Sequence, residues 1–143
     1  MKNENNVPII GQMIRQAIEA RRYSYSPYSH FQVGACLQGA DNALYTGCNI
    51  ENAGFSATNC AERTAFFKAV SQGVKEFQRI VIVGGKEGGE LELCPPCGVC
   101  RQVMMEFCNP EEFEIILAVS EQDYQIYTLK ELLPMGFGKG NVE

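Results

Sequence analysis

The sequence predicts one α/β domain over residues 1–143, a three-layer α/β/α sandwich with helices on both faces of a mixed five-stranded sheet. Two observations support this fold. The chain has 143 residues, of which 45% are hydrophobic and 20% charged, which is the size and composition of a single globular domain. Its hydrophobic spacing alternates between helical and extended periods in the order α-β-β-α-β-α-β-β-α, which favours helices on both faces of one sheet.

The first part of the chain predicts a helix followed by a hairpin. Apolar residues recur at helical spacing over 8–22, and a serine-proline pair then breaks the helix. Residues 31–37 alternate with period two, and 39–42 are turn residues. A second strand is therefore expected over 44–48.

Two further helices and a strand are expected in the middle of the chain. Residues 60–72 have helical spacing, with Gly73 as the C-terminal stop. The β-branched run over 79–83 ends in two glycines, as expected of a buried strand that stops there. Residues 97–107 again follow helical spacing, and an asparagine-proline pair ends this helix.

The C-terminal part predicts two strands and a short helix. The strands are expected over 114–119 and 124–127. Thr128 and Glu131 have the spacing of a capping box, which would open the final helix.

The charge balance narrows the function classes. Twelve Lys and Arg residues against seventeen Asp and Glu residues give a net charge of −5, which argues against binding a polynucleotide through its phosphates. No stretch is apolar enough to span a membrane, and the first residues lack the apolar core of a signal peptide. We expect a cytoplasmic protein that binds neither a nucleic-acid polymer nor a membrane.

The cysteines point to metal chemistry. There are seven, an odd number in a chain long enough to fold without cross-links, which disfavours a disulfide framework. Cys97 and Cys100 form a C-x-x-C pair after two prolines, while Cys60 lies upstream with Glu62 two positions after it. Each pair begins a predicted helix. A C-x-x-C pair alone is weak evidence, but the combination of the two motifs is much more specific.

A helix N-terminus favours metal-binding thiols, because its unpaired N–H groups and dipole stabilise a thiolate. Three thiolates at a tetrahedral Zn²⁺ leave the fourth position for water, which the ion acidifies into a nucleophile at neutral pH. Glu62, two residues from one thiol, is near enough to transfer protons. The pattern is that of a catalytic rather than a structural zinc site.

On these motifs the sequence resembles the zinc-dependent cytidine deaminases, of the short-chain type that is generally homotetrameric. In this superfamily zinc activates water for attack on a base, and a glutamate that is not a ligand acts as acid and base. The resemblance covers nearly the whole chain. It is carried by Ser26-Pro27-Tyr28-Ser29, Phe31 with Val33-Gly34-Ala35, Asn49-Ile50-Glu51-Asn52, Cys60-Ala61-Glu62-Arg63, Pro96-Cys97-Gly98-Val99-Cys100-Arg101-Gln102 and Glu131-Leu132-Leu133-Pro134.

The resemblance implies a catalytic role for five residues. Cys60, Cys97 and Cys100 would hold one Zn²⁺ per chain. Glu62 would take a proton from the attacking water, deliver it to ring N3 and later protonate the leaving ammonia. Arg63 would donate hydrogen bonds to the ligand sulfurs and so tune their basicity.

The resemblance also implies the substrate contacts. Asn49 and Glu51 would bind the ribose hydroxyls, and Phe31 would lie against the nucleoside. The backbone of Ala61 and of Cys97 would contact the amide edge of the base.

Two further assignments concern Arg101 and Phe137. Arg101 directly follows a predicted ligand and is expected to tune the sulfurs as Arg63 does. Phe137 matches the family segment whose aromatic residue reaches the site of a neighbouring subunit and stacks on the base. The resemblance therefore also implies a homotetramer.

Other interpretations are open at several positions. The three predicted ligands could be buried thiols, and Cys94 could be a fourth ligand that closes the zinc site. We expect Cys94 to be structural, as with the cysteines at 36, 48 and 108, and the only histidine, His30, to lie at the surface. Phe66 is expected to point away from the face of Phe67, towards a subunit interface.

The predicted reaction is hydrolytic deamination of cytidine and 2′-deoxycytidine to the uridines, with release of ammonia, in pyrimidine salvage. A deaminase of another cytosine nucleoside, such as blasticidin S, is the alternative on the same scaffold. The segment 49–52 favours an ordinary ribose, because a site that pairs hydroxyls discriminates against ligands that lack them. A zinc-stabilised binding module without catalysis is the alternative of a different class, and the acidic charge speaks against a polynucleotide editor.

Overall fold

The computed structural model describes residues 3–143, so the first two residues of the predicted domain lie outside the described part. Within it, the helices and strands follow the predicted order. They are α1 (Val7–Arg21), β1 (Phe31–Gly39), β2 (Leu44–Cys48), α2 (Ala61–Ser71), β3 (Phe77–Lys86), α3 (Gly98–Phe107), β4 (Glu114–Ala118), β5 (Tyr124–Thr128) and α4 (Leu129–Leu132). The capping box that opens α4 is present between Thr128 and Glu131.

The five strands form one sheet in the order β2-β1-β3-β4-β5. Neighbouring strands are antiparallel except β3 and β4, which are parallel. A parallel pair needs a crossover connection, which here contains α3. The mixed five-stranded sheet that the sequence predicts is therefore confirmed.

Helices cover the sheet on both faces. On one face, α1 buries Ile10, Met13, Ile14 and Ala17 against a cluster that includes Cys36 of β1. On the other face, α2, α3 and α4 pack on the side chains that alternate with these along the strands, such as Ala35 and Leu37 in β1. The three-layer sandwich is thereby confirmed. Among the described residues, no helix is long and apolar enough to cross a membrane.

Arg21 joins the end of α1 to the ends of two strands. Its Nε donates to the carbonyl of Gln32 at 2.8 Å, and its Nη2 donates to the carbonyls of Gly85 at 3.0 Å and Lys86 at 3.1 Å. These contacts fix the first residues of β1 next to the end of β3. They matter for function because β1 begins at Phe31, a predicted substrate contact.

We expect Arg21→Ala to lower the free energy of unfolding by about 2 kcal/mol, because hydrogen bonds to a charged donor are lost from partly buried carbonyls. Urea unfolding measures the change. The matched control is Arg22→Ala at the C-cap of α1, where the exposed guanidinium pairs with Glu19, so the loss should be below about 0.5 kcal/mol. Equal losses in the two variants would contradict a special role for Arg21.

The prediction that β3 spans only 79–83 is wrong. The strand continues through Gly84 and Gly85, which pair with Val33 and Gln32 of β1. A Cβ at Gly84 would lie 2.8 Å from the Cys94 sulfur, and one at Gly85 would lie 2.4 Å from the carbonyl oxygen of Glu90. The glycines are thus explained by the close passage of the 90–94 segment and do not end the strand.

The expectation that Phe66 faces a subunit interface is also wrong, although its side chain does lie on a different side of α2 from that of Phe67. Its side chain is fully buried, with ring centroids 4.9 Å from Phe77 and 6.0 Å from Phe113, whereas Phe67 is 48% exposed. The buried stripe of α2 runs through Glu62, Phe66 and Ala69, and the following position on a helix is rotated by about 100°. The core aromatic therefore lies one turn after the predicted catalytic glutamate.

Candidate metal centre and active site

The three predicted zinc ligands lie at the starts of two helices. Cys60 is the N-cap of α2, and Cys97 is the N-cap of α3, both with extended backbone. Cys100 lies in the first turn of α3, and its N–H donates to the Cys97 sulfur at 3.4 Å. Both helices present their N-termini to the same point, which favours negatively charged sulfur there.

The three sulfurs are spaced as a metal site requires. All lie within 4.8 Å of one another, with 3.6 Å between the sulfurs of Cys60 and Cys97 and 3.4 Å between those of Cys97 and Cys100. Tetrahedral zinc with bonds of about 2.3 Å sets ligand sulfurs roughly 3.8 Å apart. The residues therefore fit zinc. Cys94 does not belong to this cluster, the only such group found among residues 3–143.

Hydrogen bonding within the cluster favours a thiolate. A bond from Cys100, followed by bonds from Arg63 and Cys97, lowers the pKa of Cys60 to about 5. The same bond to Cys60, together with burial, raises the pKa of Cys100. Burial opposes the charge of Arg63, but its bonds to the sulfurs of Cys60 and Cys100 outweigh burial and raise its pKa. A fixed positive charge thus faces the sulfurs.

Glu62 is a buried carboxyl beside the cysteines. Only 4% of the residue is exposed, because it lies on the inward stripe of α2. Burial, opposed by hydrogen bonds and assisted by the nearby Cys60 sulfur, raises the pKa of Glu62 to about 7. A carboxyl of this pKa can both accept and return a proton near neutral pH, as a general acid and base must.

The two arginines of the motifs, Arg63 and Arg101, have different hydrogen-bond partners. Nη2 of Arg63 donates to the Cys60 sulfur at 3.2 Å, the kind of contact that the resemblance implies. Nε of Arg101 donates to the carbonyl of Pro96 at 2.8 Å, and its Nη1 donates to the carbonyl of Leu132. Arg101 therefore contacts no sulfur in the described structure and instead ties the loop before Cys97 to the end of α4.

We expect Arg63→Gln to weaken zinc binding by about 10- to 100-fold, because the sulfurs lose a charged hydrogen-bond donor. Competition with a chromogenic zinc chelator measures the affinity. Arg15→Gln is the control, since Arg15 pairs with Glu121 at the surface and should leave zinc affinity unchanged. Unaltered zinc affinity in Arg63→Gln would contradict the assignment.

A cavity of about 350 Å³ opens over the cysteines. Most of the residues predicted to touch the substrate line it. The predicted site residues in its wall are Phe31, Asn49, Glu51, Cys60, Ala61, Glu62 and Cys97. Cys94 also lines it, and its pKa is raised to about 12, mainly by burial.

Asn49 and Glu51 are held in fixed orientations at the cavity wall. The Asn49 amide accepts a bond from Val33 N at 2.9 Å and donates to the carbonyl of Phe31 at 2.8 Å. The Glu51 carboxylate accepts bonds from the N–H groups of Tyr28 and Ser29 at 3.0 and 3.1 Å. Burial raises the pKa of Glu51, but the Ser29 hydroxyl and these N–H groups lower it more, so it stays charged at neutral pH.

Two serines of the loop before β1 were given no individual role from sequence. The Ser24 hydroxyl donates to Asn49, and the Ser29 hydroxyl donates to Glu51 and lines the cavity. Ser29 belongs to one of the motifs that carry the resemblance, which is the only signal for it. Ser24 has none, because its contact depends on how the loop returns to Asn49.

Two remaining predictions concern residues outside the cavity. His30 lies at the surface, as expected, beside Glu87 at 3.4 Å. Phe137 is 60% exposed and does not line the cavity of its own chain. Its backbone carbonyl accepts a bond from Gln102 of α3 at 2.8 Å, which ties this part of the chain to α3 while the residue remains exposed.

Known proteins resemble this chain along most of its length. The family described as "Cytidine and deoxycytidylate deaminase zinc-binding region" matches residues 9–115. A cytidine deaminase of Sporosarcina psychrophila is 46% identical over 130 residues, covering 91% of this chain and 92% of the relative. One of Halalkalibacterium halodurans is 46% identical over 125 residues, covering 87% and 91%.

Solved structures give the same result. A cytidine deaminase from Burkholderia pseudomallei superposes with a TM-score of 0.79 at 40% identity, covering 88% of this chain and 97% of the other. One from Mycobacterium tuberculosis has a TM-score of 0.76 at 31% identity, covering 96% and 99%. With the sulfur cluster, the buried glutamate and these similarities, the chain belongs to the zinc-binding family of cytidine and deoxycytidylate deaminases.

Proposed function

We propose that this protein catalyses the zinc-dependent hydrolytic deamination of cytidine and 2′-deoxycytidine to uridine and 2′-deoxyuridine, in pyrimidine salvage, and that residues 1–143 form the single domain that does so. The observation that carries the proposal is the buried Glu62 beside three convergent cysteines. The wall of the same cavity presents Asn49 and Glu51 to a polar ligand.

The chemistry divides between the metal and the chain. Cys60, Cys97 and Cys100 would hold the zinc ion, which would supply the Lewis acidity that acidifies water. Glu62 accepts a proton from the attacking water and delivers it to ring N3 as the new bond to C4 forms. Glu62 then takes the proton of the hydroxyl now on C4 and passes it to the amino group, so that the C4–N bond breaks as the C4=O bond forms and ammonia leaves. Water and cytidine are thereby converted to uridine and ammonia.

The cavity wall supports recognition of an unphosphorylated nucleoside. Asn49 and Glu51 pair with ribose hydroxyls, Phe31 lies against the nucleoside, and the backbone of Ala61 and of Cys97 contacts the base. The charged residues that line the cavity are Glu51 and Glu62, and among the described residues no Lys or Arg lines it. A phosphate group would therefore meet negative charge without a compensating partner.

The proposed assembly is a homotetramer in the cytoplasm. Exposure of Phe137 outside its own cavity supports a role in a neighbouring subunit, where the ring stacks on the base. Light scattering on the purified protein tests the assembly and should give the mass of four chains. A monomer with full activity would contradict the role of Phe137.

Ammonia release by the zinc-loaded protein tests the reaction. Cytidine and 2′-deoxycytidine should both release ammonia. Free cytosine, which lacks the hydroxyls for Asn49 and Glu51, and cytidine monophosphate should react far more slowly. No release from either nucleoside, with one zinc per chain confirmed, would contradict the proposal and direct attention to other cytosine nucleosides or to a binding module.

A further inference from the structure

The Asn49 side chain is almost completely enclosed, since the residue is 9% exposed. Among the described residues it has three hydrogen-bond partners. Two are backbone groups of β1, namely the N–H of Val33 and the carbonyl of Phe31. The third is the hydroxyl of Ser24, which donates to the same Oδ1 that accepts from Val33.

The oxygen and the nitrogen of the Asn49 amide differ in how many of their possible hydrogen bonds these contacts satisfy. Oδ1 accepts two hydrogen bonds, which fills both lone pairs of a carbonyl oxygen. Nδ2 has two hydrogens, and one of them goes to the Phe31 carbonyl. Because Asn49 lines the cavity, the second Nδ2 hydrogen is the polar group that it can offer to a bound ribose.

Ser24 is itself held in place on both sides. Its N–H donates to the carbonyl of Arg21 at 3.1 Å at the end of α1, and the next residue, Tyr25, donates to the backbone carbonyl of Asn49 at 3.0 Å. Because these backbone hydrogen bonds already hold the loop in place, the Ser24 hydroxyl contacts Asn49 without any further ordering of the loop. Ser24 does not line the cavity, so it can influence a ligand only through another residue.

A donor on Oδ1 changes what the amide presents on its other side. The hydroxyl draws electron density towards the oxygen and makes the Nδ2 hydrogens better donors, since linked hydrogen bonds polarise one another. The same bond restrains rotation of the amide. The Val33 and Phe31 contacts remain when Ser24 is changed, so the amide keeps its place in the fold while its donor is weakened.

We propose that Ser24 is a positioning residue for ribose recognition, holding and polarising the Asn49 amide so that its second Nδ2 hydrogen binds a ribose oxygen. The proposal rests on the proposed function. Ser29 makes a similar contact with Glu51, but it lines the cavity and two backbone amides share its task. The effect of the Ser24 hydrogen bond on ribose binding can therefore be measured separately from direct contacts with the ligand.

Steady-state kinetics of Ser24→Ala with cytidine, 2′-deoxycytidine and 3′-deoxycytidine tests this role. For cytidine, KM should rise roughly fivefold, the effect of one neutral hydrogen bond, while kcat changes less than about twofold because the contact is made equally before and during reaction. The increase should disappear with the deoxy analogue that lacks the hydroxyl bound by Asn49. Ser24→Thr, which retains the hydroxyl, should restore the KM for cytidine.

The controls separate this role from a loss of structure. Ser71→Ala removes a serine hydrogen bond at the end of α2 and should leave all three KM values unchanged. Zinc content and the unfolding midpoint are measured for each variant. An unchanged KM, or an equal penalty with all three substrates, would overturn the role of Ser24 while the wild-type protein still releases ammonia. No release from cytidine by the wild type would overturn both proposals.

Discussion

Replacing Glu62 by glutamine is expected to lower kcat for cytidine by about 10²- to 10⁴-fold while one zinc per chain is retained. Glutamine has nearly the same size and fits the same buried position on α2. It cannot accept a proton from water or return one to the base, so the reaction loses its acid and base but not its metal. Ammonia release and atomic absorption on the same preparation measure the two quantities.

A glutamate outside the cavity provides the control for this change. Glu90 is exposed and does not line the cavity, so Glu90→Gln should keep full activity. A Glu62→Gln protein that retains both activity and zinc would show that another group moves the protons. A variant that loses zinc would instead mean that Glu62 stabilises the metal site directly.

The second large effect is expected from Cys97→Ala, which should abolish both stoichiometric zinc binding and ammonia release. Two sulfurs do not complete the ligand set that a catalytic zinc requires from the protein. Cys97 is exposed, whereas Cys100 is buried in the core, so a change at 97 leaves the packing of α3 largely intact. Zinc content after dialysis against a mild chelator, together with far-ultraviolet circular dichroism, separates loss of metal from loss of fold.

Cys94→Ala is the matched control, and it also tests the four-sulfur alternative. Cys94 lies against Gly84 and lines the cavity but is not in the sulfur cluster. The variant should keep one zinc per chain and measurable activity. Loss of zinc from Cys94→Ala would contradict the three-cysteine site and would support a closed structural site.

The regular elements could be predicted because each has a local cause. The apolar stripe of α1, the alternation in β1 and the capping box at Thr128 are set by neighbouring residues, and each element is found where the spacing places it. The sulfur site was predictable for a similar reason. Its ligands lie at the starts of helices, so two short motifs suffice to describe it.

What the sequence did not predict depends on contacts between distant segments. The length of β3 depends on the 90–94 segment that crosses Gly84 and Gly85. Burial of Phe66 and not Phe67 depends on how α2 rotates against the sheet, because adjacent helical positions are equally apolar in the sequence. The contact of Ser24 with Asn49 joins a loop to a strand end 25 positions away.

The direction of β1 has a practical consequence. The strand begins at Phe31 in the cavity wall and ends eight residues later at Gly39, and at about 3.3 Å per residue its far end is roughly 26 Å from Phe31. The tight turn that follows, at Asp41 and Asn42, is exposed. This turn is therefore a suitable place to insert a peptide tag or fluorescent reporter by genetic fusion, since neither would obstruct turnover.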